Sequence, residues 1–236
     1  MFGPYLRTTL LAVILPIATS IASIGILLPL FFTRTLQELE WQTSARTKLL
    51  NPQGRIKIAL FSPDDKIREV LLGLISSESQ RILLASYVVT DRILVEELIK
   101  CHKRGVKIEV IVCRSGAQDQ WTKVGLLIEA GVPVYVYPSA FVRSLMHNKF
   151  IVFSRAFDRT ILATGSYNMT NSADKANQEN LLFIDDPDLA RQYTNRFEHI
   201  KRLSILVNKA DAIPAITSKR LKNGKKRPKL ASQSPS

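Results

Sequence analysis

Two short polar stretches interrupt apolar sequence in the second half of the chain. The first is His147-Asn148-Lys149, which lies within the apolar run 146–153. Because alternate residues of a strand face the same side, a strand here would bring the imidazole and the ammonium to one surface. An ammonium beside an imidazole can bind a phosphate oxygen and disfavours protonation of the ring, which leaves the ring nucleophilic. The pair therefore favours chemistry at a phosphorus atom.

The second polar stretch, 165–180, is rich in turn-forming and hydrogen-bonding residues. Gly165 lets the backbone approach an anion, and Ser166 and Asn168 can donate hydrogen bonds to that anion. Glu179 stands just before an apolar strand, where a partly buried carboxylate needs a partner such as His147. On spacing alone these residues are a weak signal, because an isolated His-x-Lys pair on a strand is more often an ordinary surface pair.

The sequence around these stretches alternates apolar runs with helical patterns. Strands are predicted at 56–61, 81–88, 107–113 and 132–137, and helices at 64–77, 91–104 and 118–130. A hairpin (146–153 and 160–164), a strand at 181–184 and a final helix from 187 to about 206 follow. The pattern predicts an α/β fold with a mixed β-sheet flanked by helices.

The two ends of the chain differ from this body. Residues 8–33 carry no charge, and a run of that length can cross a bilayer as a helix. We therefore divide the chain into an N-terminal membrane anchor (1–36), a linker (37–54), a catalytic domain (55–208) and a basic disordered tail (209–236). Basic residues after the span outnumber those before it, which favours a single-pass membrane protein with a cytoplasmic domain. The alternative is a signal sequence, whose cleavage would leave a secreted or periplasmic protein.

Charge and cysteine content narrow the choice of partners and cofactors. The chain has 33 Lys and Arg against 20 Asp and Glu, and residues 212–236 hold seven basic residues and no acid. Such a tail can contact nucleic acid or anionic lipid, or it simply stays solvated. Cys101 and Cys113 allow one optional disulfide but no cysteine-based zinc site. The three histidines are far apart in sequence, so we expect no metal and no cofactor.

His147-Asn148-Lys149, followed by GSYNMTNSADKANQENLLF, resembles the single-motif branch of the phospholipase D superfamily. The signature of that branch is HxKxxxxD, then GS-aromatic-N, then a Glu-Asn pair that enters a strand. The resemblance covers roughly 56–203 and extends to bacterial endonuclease-like and mitochondrial-surface-like members. One position departs from the pattern, because Ser154 stands where the family has aspartate, and Asp158 follows four residues later.

The resemblance implies roles for individual residues. His147 would attack phosphorus and form a phosphohistidine, and Glu179 would orient its ring. Phosphoryl oxygens and substrate would be held by the remaining site residues, namely Lys149, Asn168, Ser166 and Gly165. Because the chain has a single HxK motif, the family pattern implies a homodimer in which two copies of His147 share one site.

Three functions are compatible with this resemblance. The favoured one is a membrane-anchored phosphodiesterase that acts as a nuclease. The first alternative is a phospholipase that acts on an anionic lipid such as cardiolipin. The second is a non-catalytic scaffold that binds phosphate-bearing ligands at a membrane, and Ser154 at the aspartate position is its main support.

Overall fold

The computed structural model describes residues 56–138 and 145–207. The expected anchor, the linker and the basic tail lie outside the described residues, so their predicted structures are not tested. Across the two described ranges, no helix combines the length and the apolar character needed to cross a membrane.

Strands and helices alternate through the described ranges, as the sequence pattern predicts. In chain order the elements are β1 (Lys57–Ser62), α1 (Ile67–Ser77), β2 (Arg81–Ser86), α2 (Arg92–Lys103), β3 (Lys107–Cys113), α3 (Arg114–Ala117), α4 (Val124–Glu129), β4 (Val134–Tyr137), β5 (Phe150–Ala156), β6 (Arg159–Gly165), α5 (Asn171–Lys175), β7 (Glu179–Ile184), α6 (Pro187–Arg202) and β8 (Ile205–Val207).

The strands of the described part form one mixed sheet in the order β1-β7-β6-β5-β2-β3-β4-β8. β2, β3 and β4 are parallel neighbours, and the other neighbouring pairs are antiparallel. The predicted mixed sheet is therefore confirmed. Because β5 is antiparallel to β2, β5 begins beside the end of β2, with Phe150 opposite Ala85. The end of β6 and the start of β7 meet at this same edge, where Gly165 pairs with Leu181.

Helices cover both faces of the sheet, as the successive residues of β2 show. Ile82 and Leu84 join a core cluster with the apolar residues of α1, α2 and α4. Leu83 and Ala85 belong to a second cluster with residues of α6. Since neighbouring residues of one strand are buried on opposite sides, the central strands are apolar throughout rather than alternating.

Most predicted boundaries are accurate to a few residues, and α2 is the best case. The side chain of Asp91 accepts hydrogen bonds from the backbone N–H groups of Ile93 and Leu94, which caps the start of the helix. Gly105, with φ of +95°, follows the last turn, as expected for a residue that ends a helix.

The optional disulfide does not form, because Cys101 and Cys113 are both free and buried.

The predicted start of the first helix is wrong by three residues. The sequence pattern places it at Asp64, but α1 begins at Ile67. The acidic residues before it belong to a turn, in which a carboxylate oxygen of Asp65 accepts a hydrogen bond of 2.8 Å from the N–H of Phe61. A side chain that folds back onto the preceding strand cannot also cap the helix.

The predicted helix 118–130 is also wrong, because only Val124–Glu129 is helical there. Residues 118–123 form turns instead. The side chain of Asp119 accepts a hydrogen bond of 2.8 Å from the N–H of Trp121, and the N–H of Lys123 donates to the carbonyl of Val89 at 2.8 Å. These bonds tie the segment to the loop after β2 and prevent it from continuing as a helix.

The end of the domain contains a strand that the sequence pattern did not predict. α6 ends at Arg202 rather than near residue 206. The apolar residues that follow form β8, which pairs antiparallel with β4 and brings Ile205 opposite Val136. A free strand edge beside the end of α6 therefore accounts for the early end of the helix.

Candidate active site

The candidate site lies at the sheet edge where β2 and β6 end and β5 and β7 begin. His147 and Lys149 precede β5, which starts only at Phe150, so the prediction that they lie within a strand is wrong. The segment is nevertheless fixed to the sheet, since the carbonyl of Lys149 accepts a hydrogen bond of 3.3 Å from the N–H of Gly165. On the face of the sheet that α6 covers, the ring of Phe150 contacts the ring of Tyr193, with centroids 5.1 Å apart.

Lys149 is a buried cation directly behind the histidine. Its side chain is 8% exposed, and its Nζ donates a hydrogen bond of 2.8 Å to the carbonyl of His147. Burial lowers the pKa of Lys149, and the negative charge of Glu179 opposes that lowering. An ammonium has three N–H groups, so Lys149 keeps donors for a ligand after it binds this carbonyl.

His147 is exposed, and its ring contacts the ring of Tyr87 edge-on at 5.2 Å between centroids. The Nζ of Lys149 lies 5.8 Å from the centroid of the same tyrosine ring. Tyr87 is held in turn by Ser115, whose hydroxyl donates to the phenol oxygen at 3.0 Å. The ring of Tyr87 therefore lies beside both the imidazole and the ammonium, and the convergence of these two groups on one surface stays a prediction.

Gly165 and Ser166 link the end of β6 to the start of β7. A Cβ atom on Gly165 would lie 2.2 Å from the carbonyl oxygen of Asn180, so only glycine allows the two strands to come this close. The N–H of Asn180 donates to the hydroxyl of Ser166 at 3.1 Å, and that hydroxyl donates to a carboxylate oxygen of Glu179. The close approach that Gly165 permits is thus to β7, and its contact with substrate stays a prediction.

Glu179 has other partners than the one expected from the sequence. One carboxylate oxygen accepts from Ser166, and the other accepts from the side-chain amide of Asn177 at 3.2 Å. Among the described residues, His147 makes no hydrogen bond to this carboxylate, and Glu179 interacts with the charge of Lys149 instead. In one copy of the chain, Glu179 therefore supports the ammonium rather than the imidazole.

Asn168 lies on a loop that is fastened to the neighbouring elements. Its side-chain oxygen accepts a hydrogen bond of 3.4 Å from the hydroxyl of Ser86. The carbonyl of Met169 accepts from the N–H groups of Thr90 and Asp91 at 2.9 and 3.0 Å. Because these contacts come from the last residue of β2 and from the loop that follows it, the loop that carries Asn168 is held against the end of β2.

A buried ion-pair network lies next to the loop that carries Asn168 and helps to fix it. The guanidinium of Arg68 binds the carboxylate of Asp174 in α5 and lies 3.4 Å from the carboxylate of Asp91. Tyr167 packs beside the network at 3% exposure, and its burial raises the pKa of its phenol. Tyr167 is therefore a packing residue, whereas Tyr87 reaches the candidate site.

The structure gives a physical account of Ser154, the residue at the family's aspartate position. A buried carboxylate is present beside it, but it comes from Glu78, which is 2% exposed. Both oxygens of Glu78 accept from the N–H of Arg155, at 3.0 and 2.9 Å. One of them also accepts from the N–H groups of residues 79–81. A carboxylate from another part of the chain thus binds the backbone next to Ser154.

The hairpin after Ser154 is tighter than the sequence suggests. The predicted six-residue connection is reduced to Phe157 and Asp158, which have φ values of 48° and 60°. Two such residues are typical of the turn that joins antiparallel strands with two loop residues. In the parts of the chain that the structure describes, no three His, Cys, Asp or Glu side chains are grouped so that they could hold a metal ion.

Comparisons with known proteins agree with this geometry. The phospholipase D of Rickettsia felis is 30% identical over 169 residues, which cover 70% of this chain and 81% of that protein. The mitochondrial cardiolipin hydrolase of Xenopus laevis is 28% identical over 152 residues, covering 64% and 69%. The crystal structure of Nuc, a phospholipase D family member from Salmonella typhimurium, has the same fold. It matches with a TM-score of 0.58 at 21% identity and covers 65% of this chain and 99% of that one.

A family model described as cardiolipin synthase, PLD-like domain, matches residues 71–201. Together with the mixed sheet, these relatives define the class of the protein as a phosphodiester hydrolase. The chain belongs to the phospholipase D superfamily.

The charge of Glu179 gives a prediction for the pH dependence of the activity. Glu179 raises the pKa of Lys149 against the effect of burial, so the change Glu179→Gln should let Lys149 lose its proton at a lower pH. We expect the alkaline limb of the pH profile of kcat/KM to move to lower pH with a small chromogenic phosphodiester as substrate. Lys149→Arg in the same background should remove the shift, because a guanidinium stays charged throughout. An alkaline limb that does not move would contradict the assignment.

Proposed function

We propose that this protein is a membrane-anchored phosphodiesterase that cleaves nucleic acid through a phosphohistidine on His147, in a site shared by two copies of the chain. The observation that carries the proposal is the exposed imidazole of His147 together with the buried ammonium of Lys149, which binds the backbone carbonyl of the same histidine. An exposed ring can reach a phosphodiester, and a buried cation binds the phosphate more strongly than one in water.

The first half of the reaction forms a bond between a ring nitrogen of His147 and phosphorus. The bond from phosphorus to the leaving oxygen breaks, and its electron pair stays on that oxygen. Lys149 and the carboxamide of Asn168 bind the non-bridging oxygens, on which negative charge increases in the transition state. Glu179, which accepts a hydrogen bond from Ser166, stabilises the ammonium of Lys149 by its charge at the back of the site.

The leaving oxygen needs a proton that the attacking histidine cannot also supply. A second copy of the chain, related by a two-fold axis, would place the partner subunit's His147 across the phosphodiester as the acid. After it has given up its proton, that ring can accept one from water as the water attacks the phosphohistidine. The cycle then returns both histidines to their starting states without a metal or a cofactor.

Several observations favour nucleic acid as the substrate. The net charge of the chain is +13, with seven basic residues and no acid in residues 212–236, and a basic protein attracts polyanions. Most of the residues that line the groove next to the site are polar, among them Thr90, Lys123 and Thr170. A phospholipase is the second candidate, because the relatives include a phospholipase D and a cardiolipin hydrolase and an anchor would keep the site near lipid.

The non-catalytic scaffold loses its main support. Ser154 lies five residues beyond Lys149 along β5, which is about 16 Å of extended chain. A side chain at that distance is too far from the site to take part in the reaction. Glu78 supplies a carboxylate to the backbone next to Ser154, so the missing aspartate is no argument for an inactive site.

The substrate can be tested with the full-length protein in detergent. We expect hydrolysis of single-stranded DNA or RNA at a rate well above that of cardiolipin in mixed vesicles, with His147→Ala as the inactive control for each. Turnover of cardiolipin alone would transfer the proposal to the phospholipase. Turnover of nucleic acid that His147→Ala leaves unchanged would show a contaminating nuclease and contradict the proposal.

A further inference from the structure

A groove of about 460 Å³ lies beside the candidate site. Three segments form its walls. Val88 and Thr90 come from the loop after β2, Trp121 and Lys123 from the turn before α4, and Thr170 and Ser172 from the loop that enters α5. We call it the Trp121 groove. The hydroxyl of Ser86 links it to the site, because it donates to the carbonyl of Val88 at 2.9 Å and to Asn168 at 3.4 Å.

Trp121 stands out on the wall of this groove. At 65% exposure it is the most exposed large apolar side chain of the described residues, while its backbone is held in place. Its N–H donates to Asp119 at 2.8 Å, and the next residue but one, Lys123, donates its N–H to the carbonyl of Val89 at 2.8 Å. A turn fixed at both sides therefore presents a flat indole to the groove at little further cost in entropy.

The chemistry of the other walls indicates what the indole could contact. Six of the eight residues that line the groove are polar, among them Thr90, Lys123 and residues 170–172, and the other two are Val88 and Trp121. A lipid acyl chain would remove these polar groups from water without replacing their hydrogen bonds, which is unfavourable. A nucleotide meets each requirement, since its base can stack on an indole and its sugar and phosphate can accept or donate hydrogen bonds.

The charges of the groove also favour a nucleotide as its ligand. Lys123 contributes an ammonium to the groove. Within the described ranges, the side chain of Lys123 makes no hydrogen bond and no ion pair. Asp119 is the acidic residue of the lining, and one of its carboxylate oxygens accepts from the N–H of Trp121. The free cation is thus the group available to a phosphate.

We propose that the Trp121 groove binds the nucleotide next to the scissile phosphate of a single-stranded nucleic acid, with its base stacked on Trp121 and its phosphate bound by Lys123. This inference rests on the proposed nuclease function and narrows its substrate. A base in a duplex is already stacked on its neighbours, so only an unpaired base can use the indole without an unstacking cost.

Binding can be measured without turnover in the His147→Ala background. We expect a fluorescently labelled single-stranded oligonucleotide to bind Trp121→Ala roughly ten-fold more weakly than the background protein. Trp121→Phe should restore most of the affinity, because a phenyl ring still stacks. Leu203→Ala, which removes an exposed apolar side chain after α6, is the matched control and should bind normally. Equal affinity of the Trp121→Ala and background proteins would overturn the proposal.

Turnover gives the second readout. Bis(p-nitrophenyl) phosphate is too small to fill both the site and the groove, so Trp121→Ala should cleave it normally while its kcat/KM on single-stranded DNA or RNA falls roughly ten-fold. Equal losses on both substrates, or a loss on cardiolipin vesicles alone, would overturn the proposal. Nucleic acid cleaved equally well by wild type and Trp121→Ala would reject the groove but keep the nuclease. Nucleic acid bound through Trp121 but not cleaved by wild type would reject the nuclease but keep the groove.

Discussion

Replacing His147 with alanine should lower kcat/KM for every phosphodiester substrate by about 10⁴-fold or more, as loss of a nucleophile does in other hydrolases. The fold should be unaffected, because the ring is exposed and, among the described residues, its ring contact is an edge-on one with Tyr87. Thermal unfolding of the variant should therefore match that of the wild type. His199→Ala, which removes another exposed histidine on α6, is the matched control and should keep full activity.

A covalent intermediate is the specific readout of this prediction. Alkaline quenching of wild type during turnover of a labelled substrate should leave the label on His147, and later treatment with acid should release it, because a phosphorus–nitrogen bond survives alkali and breaks in acid. The label should be absent from His147→Ala and present in His199→Ala. Continued turnover with no label on the ring after the alkaline quench would show that the reaction proceeds by direct attack of water.

The same variant tests the shared site. A mixed dimer of one wild-type and one His147→Ala chain, isolated with two different affinity tags, contains a nucleophile but no acid from a second histidine. We expect it to be nearly inactive. If each copy instead works alone, the mixed dimer should keep about half of the wild-type activity, and the two-copy mechanism would be wrong.

The fold was accessible from the sequence wherever local pattern and long-range pairing agree. The Asp91 cap, the Gly105 end and the apolar run of β3 are local signals, and the structure places α2 and β3 almost at their predicted bounds. The segment 118–123 was predicted helical because its bonds to Val89 join residues about 30 positions apart, and no local pattern carries that information. β8 was missed for the same reason, since it forms only against β4.

The candidate site divides in the same way. His147 and Lys149 were found from two-residue spacing and a motif, both of which are local. Tyr87 and Glu78 were not, because each acts through contacts with residues 60 to 77 positions away. The one available signal was that RILLAS, a buried strand, is followed directly by a tyrosine at the edge where parallel strands end. A search restricted to motif residues therefore finds the reacting groups but not the groups that hold them.

Lys149→Met should separate activity from stability more clearly than any other change in the site. Loss of the ammonium that binds the phosphoryl oxygens is expected to lower kcat/KM by about 10³-fold, the upper range for removal of one such donor. Methionine has a similar length and buries no charge, so the midpoint of thermal unfolding at pH 7 should stay the same or rise. Lys100→Met, at an exposed lysine of α2, is the control and should keep its activity.

The sign of the stability effect follows from the lowered pKa of Lys149. Burial makes the folded protein hold this proton less tightly than the unfolded chain does, for which the usual lysine value of 10.5 applies. Between the lowered pKa and 10.5 the unfolded chain binds more protons, so the free energy of unfolding of the wild type should rise with pH across that window. Lys149→Met lacks this gain. The difference in free energy of unfolding between the variant and the wild type should therefore shrink as the pH rises. A difference that stays constant to pH 10.5 would show that Lys149 is not destabilised by burial, and the ammonium would then have to be solvated rather than held against the phosphate.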